Sequence, residues 1–289
     1  MSRQAATPSV LGIAGAGVMG RGIAQCAAEA GLEVILVDVS PAVVERARQL
    51  LRDDLRLARM LNPSKLSVQA TLARISPHAS LHELARADFV IESISEHPAQ
   101  KERVFRELDE RCRPEVCLAS NTSAIPIARL AAATRRAPQV LGLHVMNPAT
   151  RLTVELVRAP ETSDATIATA RALLAALGKD CVEVRDGPGF VINRVLMSMI
   201  NEAAALLAEG TAPAAEIDRA FTACLGHETG PLATADLIGL DVIVDTLEVL
   251  AGYLGARYVP HPTLVTMVSA GHLGRKSGSG FFPYPASDP

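Results

Sequence analysis

The chain of 289 residues has few aromatic residues and no concentration of positive charge. Phe, Tyr and Trp make up 3% of it, Trp is absent, and the formal net charge is −3. Proteins that bind DNA or RNA use stacking aromatic side chains and clustered basic residues. Both shortages exclude the usual nucleic-acid-binding classes.

The chain also lacks paired cysteines and long apolar runs. Its five cysteines are scattered and form no CxxC pair, which favours reduced thiols over a disulfide framework or a metal site. No run reaches the ~18 apolar residues of a membrane span, and the glycines in the N-terminal apolar stretch are untypical of a signal peptide. We therefore expect a cytoplasmic protein with no membrane association and no metal.

Short β-rich apolar runs alternate with amphipathic helical patterns in the first two thirds of the chain. Repeated βα units of this kind predict a mostly parallel sheet covered by helices. The predicted strands are 10–14, 34–37, 89–94, 116–119, 140–144, 154–157 and 182–184, and the predicted helices between them include 41–60, 98–111 and 163–178.

The strand signal stops after residue 185, where a Gly-Pro-Gly cluster follows, and helical patterns rich in Ala, Leu and Ile fill the remainder. We predict an α/β fold, with a Rossmann-type dinucleotide-binding domain over residues 1–185 and a smaller all-α domain over residues 186–289.

The segment GAGVMG, residues 15–20, directly follows the first predicted strand and precedes a helical pattern. In a dinucleotide site Gly15 permits the tight turn, Gly17 lets the backbone approach a pyrophosphate, and Gly20 allows close packing of helix on strand. The pattern is weak evidence alone, but its position between a strand and a helix strengthens it.

Asp38 ends the next predicted strand, near the ~20-residue offset at which an acidic side chain binds the adenine ribose. Its carboxylate would repel a 2′-phosphate, and the following Val39-Ser40 offers no arginine, so we predict NAD rather than NADP. The predicted contacts in this part of the site are Gly15, Gly17, Val18, Met19, Gly20 and Asp38.

Polar residues also lie in or directly after three later predicted strands. SNTS at 120–123 and His144 lie at strand ends, and Glu155 lies on the strand after that. A histidine paired with a carboxylate forms a general base suited to neutral pH. Each feature has an ordinary alternative: a satisfied core histidine, a helix cap at SNTS, and a turn at Asn147-Pro148.

Seven segments together resemble the 3-hydroxyacyl-CoA dehydrogenase family, in particular its short bacterial 3-hydroxybutyryl-CoA dehydrogenases. They are GAGVMGRGIA, SNTSAI, GLHVMNP, TVELV, DGPGFVINR, GPLATADLIGLD and LGRKSGSGFF. The resemblance implies oxidation of 3-hydroxyacyl thioesters with NAD. It also implies a Rossmann-type domain, a helical domain that forms a homodimer, and an active site in the cleft between the domains.

The resemblance also assigns roles to individual residues. His144 corresponds to the base that removes the 3-hydroxyl proton, Glu155 to the residue that orients it, and Ser123 and Asn193 to the residues that hydrogen-bond the substrate oxygen. The remaining predicted cofactor contacts are Asn147 beside the nicotinamide, and Ser93, Glu96, Lys101 and Asn121.

The sequence departs from the family pattern in three places. Val145-Met146 replaces two aromatic residues, and the segment from Asn147 to Glu155 is one residue shorter than usual. The arm that meets the CoA phosphates is commonly rich in lysine. Here it carries Arg52, Arg56, Arg59 and Lys65 mixed with Asp53 and Asp54.

Three alternatives stay open. The acyl group could be held by an acyl carrier protein, as in relatives that oxidise a glyceryl unit on the way to hydroxymalonyl or methoxymalonyl extender units. A β-hydroxyacid dehydrogenase shares the N-terminal glycine motif and uses a catalytic lysine, for which Lys276 is the candidate. A non-catalytic NAD-binding structural protein is the third.

Overall fold

A computed structural model describes residues 7–61 and 66–284, and the chain divides into two compact units, Met1–Gly187 and Pro188–Pro289. The division falls inside the Gly-Pro-Gly cluster, two residues after the position derived from the sequence. Lys65 lies outside the described residues.

The first unit contains the sheet. Its strands are β1 (Val10–Ala14), β2 (Glu33–Val37), β3 (Ile75–His78), β4 (Phe89–Glu92), β5 (Cys117–Ser120), β6 (Val140–His144), β7 (Thr153–Arg158) and β8 (Asp180–Arg185). In the described part of the chain they form one eight-stranded sheet in the order β3-β2-β1-β4-β5-β6-β7-β8. Neighbouring strands are parallel except β6 and β7. The predicted Rossmann-type α/β fold is confirmed, and the order reverses between β1 and β4, where open sheets bind ligands.

The helices of this unit are α1 (Val18–Glu29), α2 (Pro41–Leu61), α3 (Val68–Leu72), α4 (Pro98–Arg111), α5 (Ile127–Ala131) and α6 (Asp164–Ala176). The 98–111 helix has the predicted bounds. The predicted 41–60 helix is one residue longer at its end, and the predicted 163–178 helix is one residue shorter at its start and two at its end. No helix within residues 7–61 and 66–284 is long and apolar enough to cross a membrane.

The central strands are continuous apolar runs because both faces of the sheet are covered. β1, β4 and β6 are almost entirely buried, and their side chains join the core with residues of α1 and α6. β3 was not predicted, because its sequence ISPH is short and contains Pro77. Proline lacks a backbone donor and is tolerated in an edge strand, which is where β3 lies.

The antiparallel pair β6 and β7 follows from the length of its connection. Only residues 145–152 join the two strands, and a parallel crossover needs about a dozen residues or more. The chain therefore turns directly back, and His144 at the end of β6 becomes the pairing partner of Glu155 in β7.

The second unit is helical in its described part, as predicted. Its α-helices are α7 (Ile192–Ala208), α8 (Ala214–Arg219), α9 (Pro231–Ile238), α10 (Leu240–Leu254) and α11 (Pro262–Ser269), and a π-helix (Ala220–Cys224) follows α8. Two buried carboxylates organise it. Asp218 accepts the Leu232 and Ala233 amides at the start of α9, and Asp236 accepts the Phe281 and Phe282 amides.

A buried ion pair joins the end of α4 to the segment that leads into β6. The Asp109 carboxylate accepts hydrogen bonds from Nε of Arg135 at 2.9 Å and from Nε of Arg136 at 2.8 Å. The Arg136 guanidinium also donates to the backbone carbonyls of Asp109, Cys112 and Arg113. Arg136 thus caps the C-terminal end of α4, where a cation is favourable.

We expect Asp109→Ala to lower the free energy of unfolding by about 3 kcal/mol at pH 7, because it leaves Arg136 buried without its counter-ion. Burial alone raises the pKa of Asp109, but the hydrogen bonds from both arginines lower it below its ordinary value of 3.8. The stabilisation is therefore complete above that value and is lost as the pH falls below it.

Urea unfolding of wild type and Asp109→Ala at several pH values measures this difference. It should be constant from neutral pH to about pH 5 and narrow below about pH 4. A difference that grows on acidification would contradict the assignment.

Candidate active site

Three glycines shape the loop between β1 and α1, each for a different reason. Gly15 has φ +113°, and a Cβ there would lie 2.4 Å from the Ser93 carbonyl oxygen. A Cβ on Gly20 would lie 1.8 Å from the Gly15 carbonyl oxygen. Gly17 has no atom within 4 Å of such a Cβ. The protein's own backbone therefore requires Gly15 and Gly20, whereas Gly17 faces open space at the start of a helix, where a phosphate fits.

Asp38 is held against this loop. One carboxylate oxygen accepts the Ala16 backbone N–H at 2.7 Å, and the other accepts the Val39 N–H at 2.7 Å. The predicted ribose-binding acid at the end of β2 thus lies beside the glycine loop after β1, as a dinucleotide site requires. Val18 is exposed at the start of α1, and Met19 packs against the core.

A buried group of charges lies at the end of β4. Glu92 is fully buried, and its carboxylate accepts hydrogen bonds from Lys101 Nζ at 2.6 Å, Ser120 Oγ at 2.6 Å and the Ile94 N–H at 2.7 Å. Lys101 is 1% exposed and pairs with both Glu92 and Glu96. Glu92 was not predicted as a site residue, although a glutamate that ends an apolar strand signals a buried partner.

Glu96 fixes the loop that carries Ser123. One of its carboxylate oxygens accepts the Ser123 N–H at 2.9 Å, the Ala124 N–H at 3.1 Å and the Thr122 hydroxyl at 2.5 Å. Asp186 holds the next part of the chain by accepting the first amides of α5. Glu96 thus fixes the backbone at Ser123, and Asp186 fixes it again four residues further along the chain.

Asn121 links three strand ends at this edge of the sheet. Its side-chain oxygen accepts the Val145 N–H at 2.8 Å, and its nitrogen lies 3.4 Å from Ser93 Oγ. The segments after β4, β5 and β6 are therefore joined through one amide. Of the predicted cofactor residues, Ser93, Glu96, Lys101 and Asn121 share this hydrogen-bonded region.

His144 and Glu155 form the predicted pair. His144 Nδ1 lies 2.7 Å from Glu155 Oε2, and each residue is 3% exposed. A carboxylate at this distance accepts the Nδ1 proton and makes Nε2 the basic nitrogen of the ring. The shortened connection after Asn147 does not prevent the contact, because the strand pairing itself sets His144 opposite Glu155.

The other predicted residues lie in separate settings. Asn147 begins the turn after β6, where its side-chain oxygen accepts the Ala149 and Thr150 amides. Asn193 lies in the first turn of α7 in the second unit and is buried. Lys276, the lysine of the β-hydroxyacid dehydrogenase alternative, forms an ion pair with Asp241 in that unit.

Comparison with protein families covers almost the whole chain. Residues 10–187 match the NAD-binding domain of 3-hydroxyacyl-CoA dehydrogenase, and residues 189–284 match its C-terminal domain. The chain belongs to the 3-hydroxyacyl-CoA dehydrogenase family. It is therefore an NAD-dependent oxidoreductase of 3-hydroxyacyl thioesters.

Relatives of this dehydrogenase are similar over their full length. A probable 3-hydroxybutyryl-CoA dehydrogenase of Bacillus subtilis is 45% identical over 94% of this chain and 96% of its own. The 3-hydroxybutyryl-CoA dehydrogenase of Bradyrhizobium diazoefficiens is 40% identical over 99% and 98%. The crystal structure of (S)-3-hydroxybutyryl-CoA dehydrogenase PaaH1 from Ralstonia eutropha has a TM-score of 0.88 and 40% identity, and the match covers 96% of this chain and 100% of that one.

The glycine loop offers a matched pair of variants. We expect Gly17→Ala to fold with an unchanged melting temperature and to weaken NADH binding about tenfold, which is ~1.4 kcal/mol, because the methyl group enters the space a phosphate uses. Gly20→Ala should fail to fold, because its Cβ would overlap the Gly15 carbonyl. Thermal denaturation and NADH fluorescence titration check both, and unchanged NADH affinity in Gly17→Ala would contradict the assignment.

Proposed function

We propose that the substrate is 3-hydroxybutyryl-CoA, which the enzyme oxidises at C3 to 3-oxobutyryl-CoA with NAD⁺. Three relatives carry this acyl group in their names. The observation that carries the proposal is the buried contact of His144 Nδ1 with Glu155 Oε2 at 2.7 Å. Oxidation of an alcohol requires a base for the hydroxyl proton, and this pair supplies one at a strand end.

In the proposed reaction, Glu155 keeps the Nδ1 proton of His144 in place. Nε2 then takes the 3-hydroxyl proton, and the adjacent carboxylate stabilises the imidazolium that forms. When bound, NAD⁺ supplies the acceptor for the hydride that leaves C3. The substrate loses a proton from its 3-hydroxyl group and a hydride from C3, and the C3 carbonyl forms. Its net charge is therefore unchanged.

We propose that Ser123 and Asn193 hydrogen-bond the substrate oxygen, as the family resemblance implies. The support for Ser123 is the rigidity of its loop, because Glu96 binds its backbone amide and that of Ala124. A fixed donor favours the reacting geometry without reorganisation. We also adopt Asn147 as the residue beside the nicotinamide.

The acyl group could be carried by CoA or by an acyl carrier protein. On α2, Arg56 pairs with Asp53 at 3.6 Å, Arg59 pairs with Glu29 at 2.9 Å, and Arg52 is exposed. Internal pairing leaves less positive charge for the CoA phosphates than the number of arginines suggests. The same acyl group on a carrier protein is therefore the second candidate substrate.

NADH formation by the purified enzyme distinguishes the carriers. We expect turnover of 3-hydroxybutyryl-CoA with a kcat/KM above that for the same group on an acyl carrier protein. If only the carrier-bound substrate is turned over, CoA is rejected as the carrier. If neither substrate is turned over, the 3-hydroxybutyryl group is rejected as the acyl group.

The same assay tests the pair. We expect His144→Gln to lower kcat by about 10²–10⁴-fold, the usual contribution of a general base, and Glu155→Gln to lower it less, since an amide still contacts the ring. NADH affinity should be unchanged in both variants. Turnover of His144→Gln within about tenfold of wild type would reject the base assignment.

We further propose that the enzyme is a cytoplasmic homodimer. The second unit exposes several large apolar side chains, among them Val191, Val195, Leu237 and Val242, and exposed apolar patches favour association. All five cysteines are free thiols, which fits a reducing compartment. Light scattering that gives the mass of one chain would reject the dimer, and cell fractionation tests the compartment.

A further inference from the structure

The loop of residues 145–152 is the whole connection between the strands of His144 and Glu155. Its turn is built locally: the Asn147 side chain accepts the Ala149 and Thr150 amides, and the Asn147 carbonyl accepts the Arg151 amide. These bonds shape the turn but do not attach it to the rest of the unit. What fixes the turn in place lies elsewhere in the sequence.

Lys179 holds the turn from one side. Its ammonium group donates to the Pro148 carbonyl at 2.8 Å and to the Arg151 carbonyl at 2.9 Å. The next residue, Asp180, donates its backbone N–H to the Leu152 carbonyl at 2.8 Å. Charge-assisted hydrogen bonds are about twice as strong as neutral ones, so this one side chain fixes both ends of the turn.

Helix α1 holds the turn from the other side. The Cys26 thiol donates to the same Pro148 carbonyl at 3.1 Å, and burial raises the pKa of Cys26, which keeps the thiol protonated. One helical turn earlier, a Cβ on Gly22 would lie 3.0 Å from the Pro148 ring. The Pro148 ring therefore packs directly on the helix that begins at the glycine loop.

We propose that Lys179 is a positioning residue for the dehydrogenase reaction, acting through the clamp formed by Gly22, Cys26 and Lys179 around Pro148. The clamp connects the helix of the dinucleotide-binding loop to the connection between His144 and Glu155. Lys179 thereby sets the position of the base relative to the cofactor site without contact to either substrate. The kinetic consequence rests on the proposed function, whereas the clamp itself does not.

The test compares Lys179→Met, which keeps the length of the side chain and removes its donors, with Lys179→Arg, which retains a cation. Arg74→Met is the matched control, because Arg74 donates to the Gly31 carbonyl at 2.8 Å at the opposite edge of the sheet. Hydrogen exchange of the Ala149–Arg151 amides, NADH affinity, and kcat and KM are measured well below each melting temperature.

We expect Lys179→Met to speed exchange of these amides and to lower kcat between about tenfold and a hundredfold, since a displacement of 1 Å can cost ~10²-fold. Lys179→Arg should recover most of kcat, and Arg74→Met should change neither quantity. Unchanged hydrogen exchange of the Ala149–Arg151 amides in Lys179→Met would show that Lys179 does not hold the turn. Faster exchange with unchanged kcat and KM would overturn the positioning role.

Failure of the proposed function has a different signature. In that case wild type turns over neither thioester, and the clamp is decided by exchange and by NADH affinity alone. Faster exchange with weaker NADH binding in Lys179→Met then supports positioning of the turn relative to the cofactor site. Unchanged NADH affinity overturns that positioning, whether or not exchange is faster.

Discussion

The candidate site depends on the antiparallel pairing of β6 with β7. This pairing sets a histidine opposite a glutamate inside a sheet that is otherwise parallel, and it buries both side chains. A buried carboxylate without a partner is costly, and so is a buried imidazole. The hydrogen bond between His144 and Glu155 offsets the cost of burying both side chains. The pair that is suited to proton removal is therefore also compatible with a stable fold.

Carboxylates also order the loop that carries Ser123 at the same edge of the sheet. Glu92, Glu96 and Asp186 each accept backbone or hydroxyl donors from the segment 120–128, while Lys101 balances part of their charge. Each of these carboxylates receives at least two hydrogen bonds, and Glu92, which is fully buried, also contacts the Lys101 ammonium group. The loop around Ser123 thus owes its conformation to side chains from three other segments rather than to its own sequence.

The sequence predicted the parts of this enzyme whose signal is local. β1 is an apolar run, β6 is apolar up to its last residue, His144, and α4 begins at a proline and ends before a cysteine. All three have the predicted bounds. The family resemblance was needed to link His144 with Glu155, because eleven residues of separation alone do not reveal a strand that turns back. The position of Glu92 at the end of an apolar strand signals a buried partner, but the identity of that partner, Lys101, and the contacts of Lys179 depend on tertiary packing that no local pattern records.

The attachment of Asp38 to Ala16 has a consequence for the kinetics of cofactor capture. The backbone of the glycine loop is already ordered by this carboxylate and by the close approach of Gly15 to Ser93. The entropy of ordering the loop is therefore lost during folding rather than at each encounter with the dinucleotide. Association is then governed by diffusion and orientation, and differences in residence time arise from the contacts made after arrival.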